Sequence, residues 1–190
     1  MTVKDILEGI GRFREPRWLV PAVLVASAAF WWLQRLRQKS VARKTAVSEG
    51  LRSLILTAPI SELADSDSSE FAAVVMDLAF ADGVASVVAT SLGDASLYLS
   101  NGGAIIGAGT QFAVRTAAIE FVRVAMNHRA TFAPVSKFFY PEPGAMRVYL
   151  RTGDGVLVVQ RSLDVLGETN DPLSPVYEAG NRLLTKLREA

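Results

Sequence analysis

The sequence predicts an α+β domain. Its mostly antiparallel sheet follows the order β-β-β-α-β-β-α with covering helices, and an N-terminal transmembrane helix and helical stalk precede it. Three observations among its 190 residues lead there. Residues 18–33 run without a single charge. Apolar runs of strand length meet at Asp82-Gly83, at Gly93-Asp94 and at Gly153-Asp154-Gly155. Two later segments, 110–128 and the stretch from Ser174 onward, carry apolar residues at helical spacing. Grouped strands separated by single helices suit an antiparallel sheet with its helices packed against it.

The first element is the anchor. Residues 18–33 read WLVPAVLVASAAFWWL, and a helix of that length covers about 24 Å of the roughly 30 Å hydrocarbon core. Trp18 stands at one end and the Trp31-Trp32 pair at the other, where aromatic side chains belong at the two interfaces. Arg12, Arg14 and Arg17 flank the run on one side, Arg35 and Arg37 on the other, and their long stems extend the effective span. Pro21 falls near the helix start, where a missing backbone N–H costs little. A buried core helix, a cleaved signal peptide and a helix lying in the membrane plane are the alternatives; the last fits poorly, because the apolar character runs all round the segment. Ala26-Ser27-Ala28 has the small-x-small form of a cleavage site, but Phe30-Trp31-Trp32 and a basic cluster follow it as in a stop-transfer segment.

The charge distribution agrees with an anchor. Residues 1–52 hold ten Lys or Arg against four acids, whereas residues 53–190 hold ten against fifteen, so a formal +1 is the sum of a basic arm and an acidic domain. The densest cluster, Arg35, Arg37, Lys39, Arg43 and Lys44, follows the span and places the C-terminal domain on the cytoplasmic side. Beside a membrane segment, residues 18–44 read as contacts to lipid and anionic headgroups rather than to nucleic acid. The organisation is therefore a basic segment 1–17, a single-pass transmembrane helix 18–33, a basic helical stalk with an acidic Ser-rich linker over 34–70, and an α+β domain over 71–190.

In the stalk, Val47, Leu51, Leu54 and Ile55 define one helix face that packs its last turns on the domain, and Pro59 ends it. SELADSDSSE, residues 61–70, reads as an exposed linker. FAAVVMDLAF, GVASVVATS and ASLYLS then form a three-stranded meander, because Asp-Gly and Gly-Asp tolerate the turn conformations between them. A helical reading of 71–81 stays open, since a short apolar run has no diagnostic period. Val114, Ala118, Phe121, Val122 and Ala125 make a single stripe on the next helix. MRVYLRT and VLVVQRS pair as a second hairpin, with Met146, Val148 and Leu150 facing the core and Arg147, Tyr149 and Arg151 outside. Ser174-Pro175 supplies a cap and a first-turn proline for the last helix, whose Val176, Leu183, Leu184 and Leu187 face inward.

Composition narrows the chemistry. With no cysteine the chain holds no disulfide, thiol nucleophile or thiolate metal site, and with His128 as its one histidine it builds no two-histidine metal centre by itself. The sequence predicts no cofactor and no metal. Half the residues are hydrophobic, ample for an ordered core. His128 falls at a helix C-terminus and reads as a dipole partner. Asp77, Asp82, Asp94 and Asp154 read mostly as turn residues. No G-x-S-x-G elbow surrounds any serine, so no catalytic residue is assigned.

The one candidate ligand site is the Gly-rich stretch 93–110, GDASLYLSNGGAIIGAGT, with Gly93, Asp94, Ser96, Ser100, Asn101, Gly102, Gly103, Gly107, Gly109 and Thr110 as its residues. Glycines ahead of a helix can cradle a phosphate on backbone N–H groups. Phe112 stands where a dinucleotide motif needs glycine, and no Gly-Lys-Ser/Thr follows. The competing reading is conformational: a positive-φ turn at Asn101-Gly102-Gly103, and close strand–helix approach at Gly107 and Gly109.

The run GDASLYLSNGGAIIGAG, the segment VRTAAIEF and the ending PLSPVYEAGNRLLTKL resemble a group of small uncharacterised bacterial proteins over roughly residues 70–190. That resemblance implies a self-contained domain and no particular activity. In layout alone the element order is also similar to the roadblock and profilin-like domains, which are dimeric scaffolds. Two functions follow as expectations. The first is a membrane-anchored, non-catalytic interaction or scaffold domain, with a protein partner or a second copy to bind. The second is a small-ligand or phosphate-binding domain, either a binder alone or an enzyme, using loop 93–110.

Overall fold

The computed structural model describes residues 49–63, 72–166 and 171–190. The predicted membrane helix, with Trp18, Trp31, Trp32, Arg35 and Arg37, lies outside the described residues, as does most of the stalk. Among the described residues no helix is long and apolar enough to cross a membrane.

Residues 49–57 are helical (α1), and a short helix follows at Ile60–Leu63 (α2). The meander forms as β1 (Ala73–Phe80), β2 (Gly83–Thr90) and β3 (Ala95–Leu99), with a two-residue β4 at Ala104–Ile105. A 3-10 turn at Ala108–Thr110 leads into α3 (Phe112–Asn127). After β5 (Ala133–Pro134) come the hairpin β6 (Ala145–Thr152) and β7 (Gly155–Ser162), the short α4 (Leu163–Leu166) and α5 (Ser174–Glu189). The domain is thus α+β as predicted, and the helical alternative for 71–81 gives way to β1. The sheet has seven strands in the order β4-β3-β2-β1-β6-β7-β5, and every pair is antiparallel.

The two strands that the sequence reading lacked are both edges. β4 covers part of β3, and β5 covers the middle of β7. An edge strand two residues long offers little backbone for intermolecular pairing, and Pro134 in β5 tolerates its position because an edge can dispense with a donor.

One face of the sheet carries the larger core. Val74, Met76 and Leu78 of β1, Val87 of β2, Leu97 of β3 and Met146, Val148 and Leu150 of β6 meet the predicted stripe of α3 and Val176, Ala179, Leu183 and Leu187 of α5. Gly180 lets α5 sit close to the sheet, since a Cβ there would meet Met76 Cε at 2.5 Å and Phe121 Cζ at 3.2 Å. The predicted cap of α5 shifts by one residue: Leu173 is the cap, Ser174 opens the helix, and Asp171 Oδ1 accepts a bond from the Leu173 N–H at 2.8 Å.

The opposite face is covered too, which the strand pattern did not announce. Val75, Val88, Tyr98, Tyr149 and Val156 pack beneath Leu56 of α1, with Leu51, Ile55, Val135 and Phe138 around them. Tyr149, expected outside, is fully buried there. On α1 the expected stripe is also displaced: Leu54 is exposed and Leu56 is buried. Central strand β1 is therefore enclosed on both sides, so it reads as an apolar run interrupted only by Asp77, in an antiparallel sheet where alternation is the usual pattern.

Candidate functional site

The residues of the predicted ligand loop divide between the two ends of β3. Gly93 turns the chain at φ 91°, and Asp94 follows with its N–H bonded to Thr90 Oγ1 at 3.1 Å. Gly109 from the 3-10 turn presses against this turn: a Cβ at 109 would lie 2.6 Å from the Gly93 carbonyl oxygen. Thr110 is exposed beside it and Gly107 has open space around it at φ 71°. Ser96 sits within β3, opposite Val88. At the other end, Ser100 Oγ accepts a bond from the Val84 N–H at 2.9 Å, and Asn101 Oδ1 accepts one from the Gly103 N–H at 3.2 Å across Gly102. The structure thus brings Gly93, Asp94 and Gly109 together and leaves Ser100, Asn101, Gly102 and Gly103 about 17 Å away along a five-residue strand.

Two features that the sequence reading missed are more developed. The first is a buried polar cluster on the α1 side of the sheet. Asp77, in the middle of β1, is fully buried, and Arg52 of α1 reaches down to it. Arg52 Nε donates to both carboxylate oxygens at 3.1 and 2.9 Å, Arg52 Nη2 donates to Oδ2, and Ser86 Oγ donates to Oδ1 at 2.6 Å. Arg52 Nη1 also donates to the Phe138 carbonyl at 3.2 Å. Its guanidinium lies over the Tyr140 ring at 4.3 Å and the Tyr149 ring at 5.1 Å. The Tyr149 hydroxyl and Arg147 Nη1 both donate to the Phe139 carbonyl.

Burial pushes the Asp77 carboxyl up, while the bonds from Arg52 and Ser86 pull it down. Burial opposes the charge on Arg52, but the Asp77 bond and charge outweigh it and hold the guanidinium above its usual value. Burial also raises the Tyr140 phenol. Both Asp77 oxygens are occupied and neither reaches solvent, so the arrangement holds α1 on the sheet and offers no base to a substrate. A signal was present in the sequence: Asp77 is the lone charge in the apolar run 71–80, a place where a turn residue does not belong.

The second feature is an open apolar groove of about 470 Å³ between α3 and α5. The two helices run antiparallel, since Gln111 Nε2 at the start of α3 donates to the Ala190 carbonyl just past the end of α5. Ala113, Ala117 and Ala179 line the floor, and Glu120, Arg182 and Lys186 line the rim. Phe112 stands at one end, 84% exposed. On α3 the exposed residues Phe112, Ile119 and Met126 recur every seventh position, a second stripe beside the buried one.

His128 caps α3 with its Nδ1 against the Val124 carbonyl at 2.9 Å, in keeping with a place at a helix C-terminus. Among the described residues no group of three His, Cys, Asp or Glu could hold a metal ion. No protein-family model, curated protein or solved structure matches the chain.

Proposed function

We propose that the chain is a membrane-anchored, non-catalytic interaction domain, single-pass with its C-terminal domain cytoplasmic, that pairs with a second copy of itself through the α3–α5 groove. The observation that carries the reading is the groove with Phe112 beside it. One surface bears both an exposed aromatic knob and an apolar hollow, and its rim bears both signs of charge, Glu120 on α3 and Arg182 with Lys186 on α5. An isologous contact needs a knob and a hollow on one surface, and this surface has both; the rim charges already pair within the chain, Glu120 with Arg123, Lys186 with Glu189 and Arg182 with Glu178, so the contact rests on Phe112 and the hollow. The anchor rests on the uncharged, tryptophan-ended run and its basic flanks.

Two measurements test this. The full chain should fractionate with membranes and resist carbonate extraction; a soluble, monodisperse full chain without detergent sinks the anchor. Because the chain has no cysteine, Thr116→Cys gives a single probe at the groove. Oxidation in membranes should give a disulfide-linked dimer that Phe112→Asp abolishes, and a monomer with intact Phe112 sinks the pairing. A thermal-shift response to nucleotides or phosphates that Gly103→Val abolishes would instead favour loop 93–110.

A further inference from the structure

We infer that the cage beneath α1 is a guanidinium-recognition site, which Arg52 fills in the resting chain and which takes in its place an arginine-bearing amphipathic helix of another protein. The inference rests neither on the anchor nor on the α3–α5 groove. Asp77 on β1 offers both carboxylate oxygens to the guanidinium, and Ser86 on β2 holds one of them. Tyr149 on β6 and Tyr140 set their rings against it, and the Phe138 and Phe139 carbonyls accept its remaining N–H groups at 3.2 and 3.4 Å. A carboxylate, two aromatic faces and two carbonyls are the complement of a planar cation with a fork of N–H donors. A lysine ammonium donates from one atom and cannot meet them together.

The cage is assembled by contacts that do not involve α1. Residues 135–140 form a strap along the α1 face of β6 and β7. The Val135 N–H donates to the Val156 carbonyl at 3.0 Å, and the Phe138 ring meets the Tyr149 ring edge-on at 5.8 Å. Arg147 Nη1 donates to the Phe139 and Tyr140 carbonyls at 2.8 and 3.3 Å, and the Tyr149 hydroxyl donates to the Phe139 carbonyl. Arg147 is fixed in turn by its Nε donating to Gln160 Oε1 at 2.8 Å. The sheet and the strap thus supply the whole host side, and α1 supplies the guest. A host held together by its own bonds loses little freedom when a guest enters, which is the condition for selective binding.

The resident guest defines the partner. Among residues 49–57 only Arg52 and Leu56 are buried, one helical turn apart, with Leu51 and Ile55 half-buried beside them and Leu54 exposed. A helix that replaces α1 therefore carries arginine with leucine four positions later on one apolar face. Charge complementarity selects it. The Asp77 carboxylate is fully enclosed, so release of α1 alone is opposed by the cost of an unpaired buried charge. An incoming arginine removes that cost, because the carboxylate is paired before the exchange and after it, whereas an apolar helix without arginine leaves it unpaired.

The test uses the full chain with a fluorophore on Ser53→Cys, an exposed position of α1, and a synthetic peptide of residues 49–60 as the probe. Circular dichroism confirms that the labelled chain is folded. The peptide carries the same guest as the tethered helix, so it should free α1, read as a fall in fluorescence anisotropy, with a midpoint on the order of millimolar, the effective concentration of a tethered segment. In a labelled chain with Arg52→Lys the resident guest fits the cage less well, and the midpoint should fall about tenfold. A peptide with Arg52→Lys should leave the native chain unchanged. A native peptide that frees α1 from neither chain overturns the inference. So does a lysine peptide that works as well as the native one, because the cage then does not choose its guest. An excess of unlabelled full chain should leave α1 seated; displacement by it assigns the guest to a second copy and overturns the reading of another protein. A Phe112→Asp background should give the same midpoints, so that failure of the groove pairing and failure of this site are read separately.

Discussion

At the scale of the residue, the decisive pair is Arg52 and Asp77. An acid fully enclosed in a sheet interior is costly unless its oxygens are filled, and here three donor atoms from two side chains fill them. Arg52→Leu leaves the carboxylate without its charge partner and should lower stability by about 3–5 kcal/mol in urea unfolding. The pair Arg52→Met with Asp77→Leu should recover most of that, because an apolar replacement of both partners removes the desolvation cost as well as the attraction. If the double variant is no more stable than the single one, the pair does more than hold α1. Gly109 makes a second residue-scale prediction. An added methyl there strikes the Gly93 backbone, so Gly109→Ala should cost about 1–3 kcal/mol, whereas Gly107→Ala tests positive φ in open space and should cost about 1 kcal/mol. Equal losses at the two sites would contradict the close approach at 109.

At the scale of the element, α1 belongs to the packed domain, because Leu56 and Arg52 complete the second face of the sheet. A fragment of residues 45–190 should therefore unfold cooperatively. One of residues 60–190 should melt lower and bind a hydrophobic dye, since Tyr149, Val75 and the Asp77 carboxylate lose their cover. Identical melting of the two fragments would show that α1 contributes nothing. On α3, Phe112→Asp should abolish the proposed pairing while its effect on unfolding stays within about 0.5 kcal/mol, because the side chain is already in solvent. The buried stripe of α3 and both hairpins were legible in the sequence, as period and turn residues are local properties. The identity of the covered faces was not. Tyr149 alternates with core residues as a solvent-facing residue would, and α1 turns Leu56 inward in place of Leu54.

At the scale of the whole molecule, the charge is unevenly divided: residues 1–52 are basic, the remainder is acidic, and the described residues fold into a sheet covered on both faces, with short strands at both edges. The membrane-anchored reading proposed above makes an orientation prediction. A reporter fused after Ala190 should read as cytoplasmic, and a reporter active only outside that compartment would reverse the orientation. By itself the sequence determined the α+β class, the places of the five longer strands and of α3 and α5, and the anchor expectation, because each follows from neighbours a few residues apart. The tertiary structure alone decided that Arg52 meets Asp77 25 residues on and Phe138 86 residues on, that loop 93–110 is split between two ends of a strand, and that a groove opens between α3 and α5. Burial on a second face and complementarity between distant side chains arise when separate elements meet, and a periodicity read along one element carries no record of its partner.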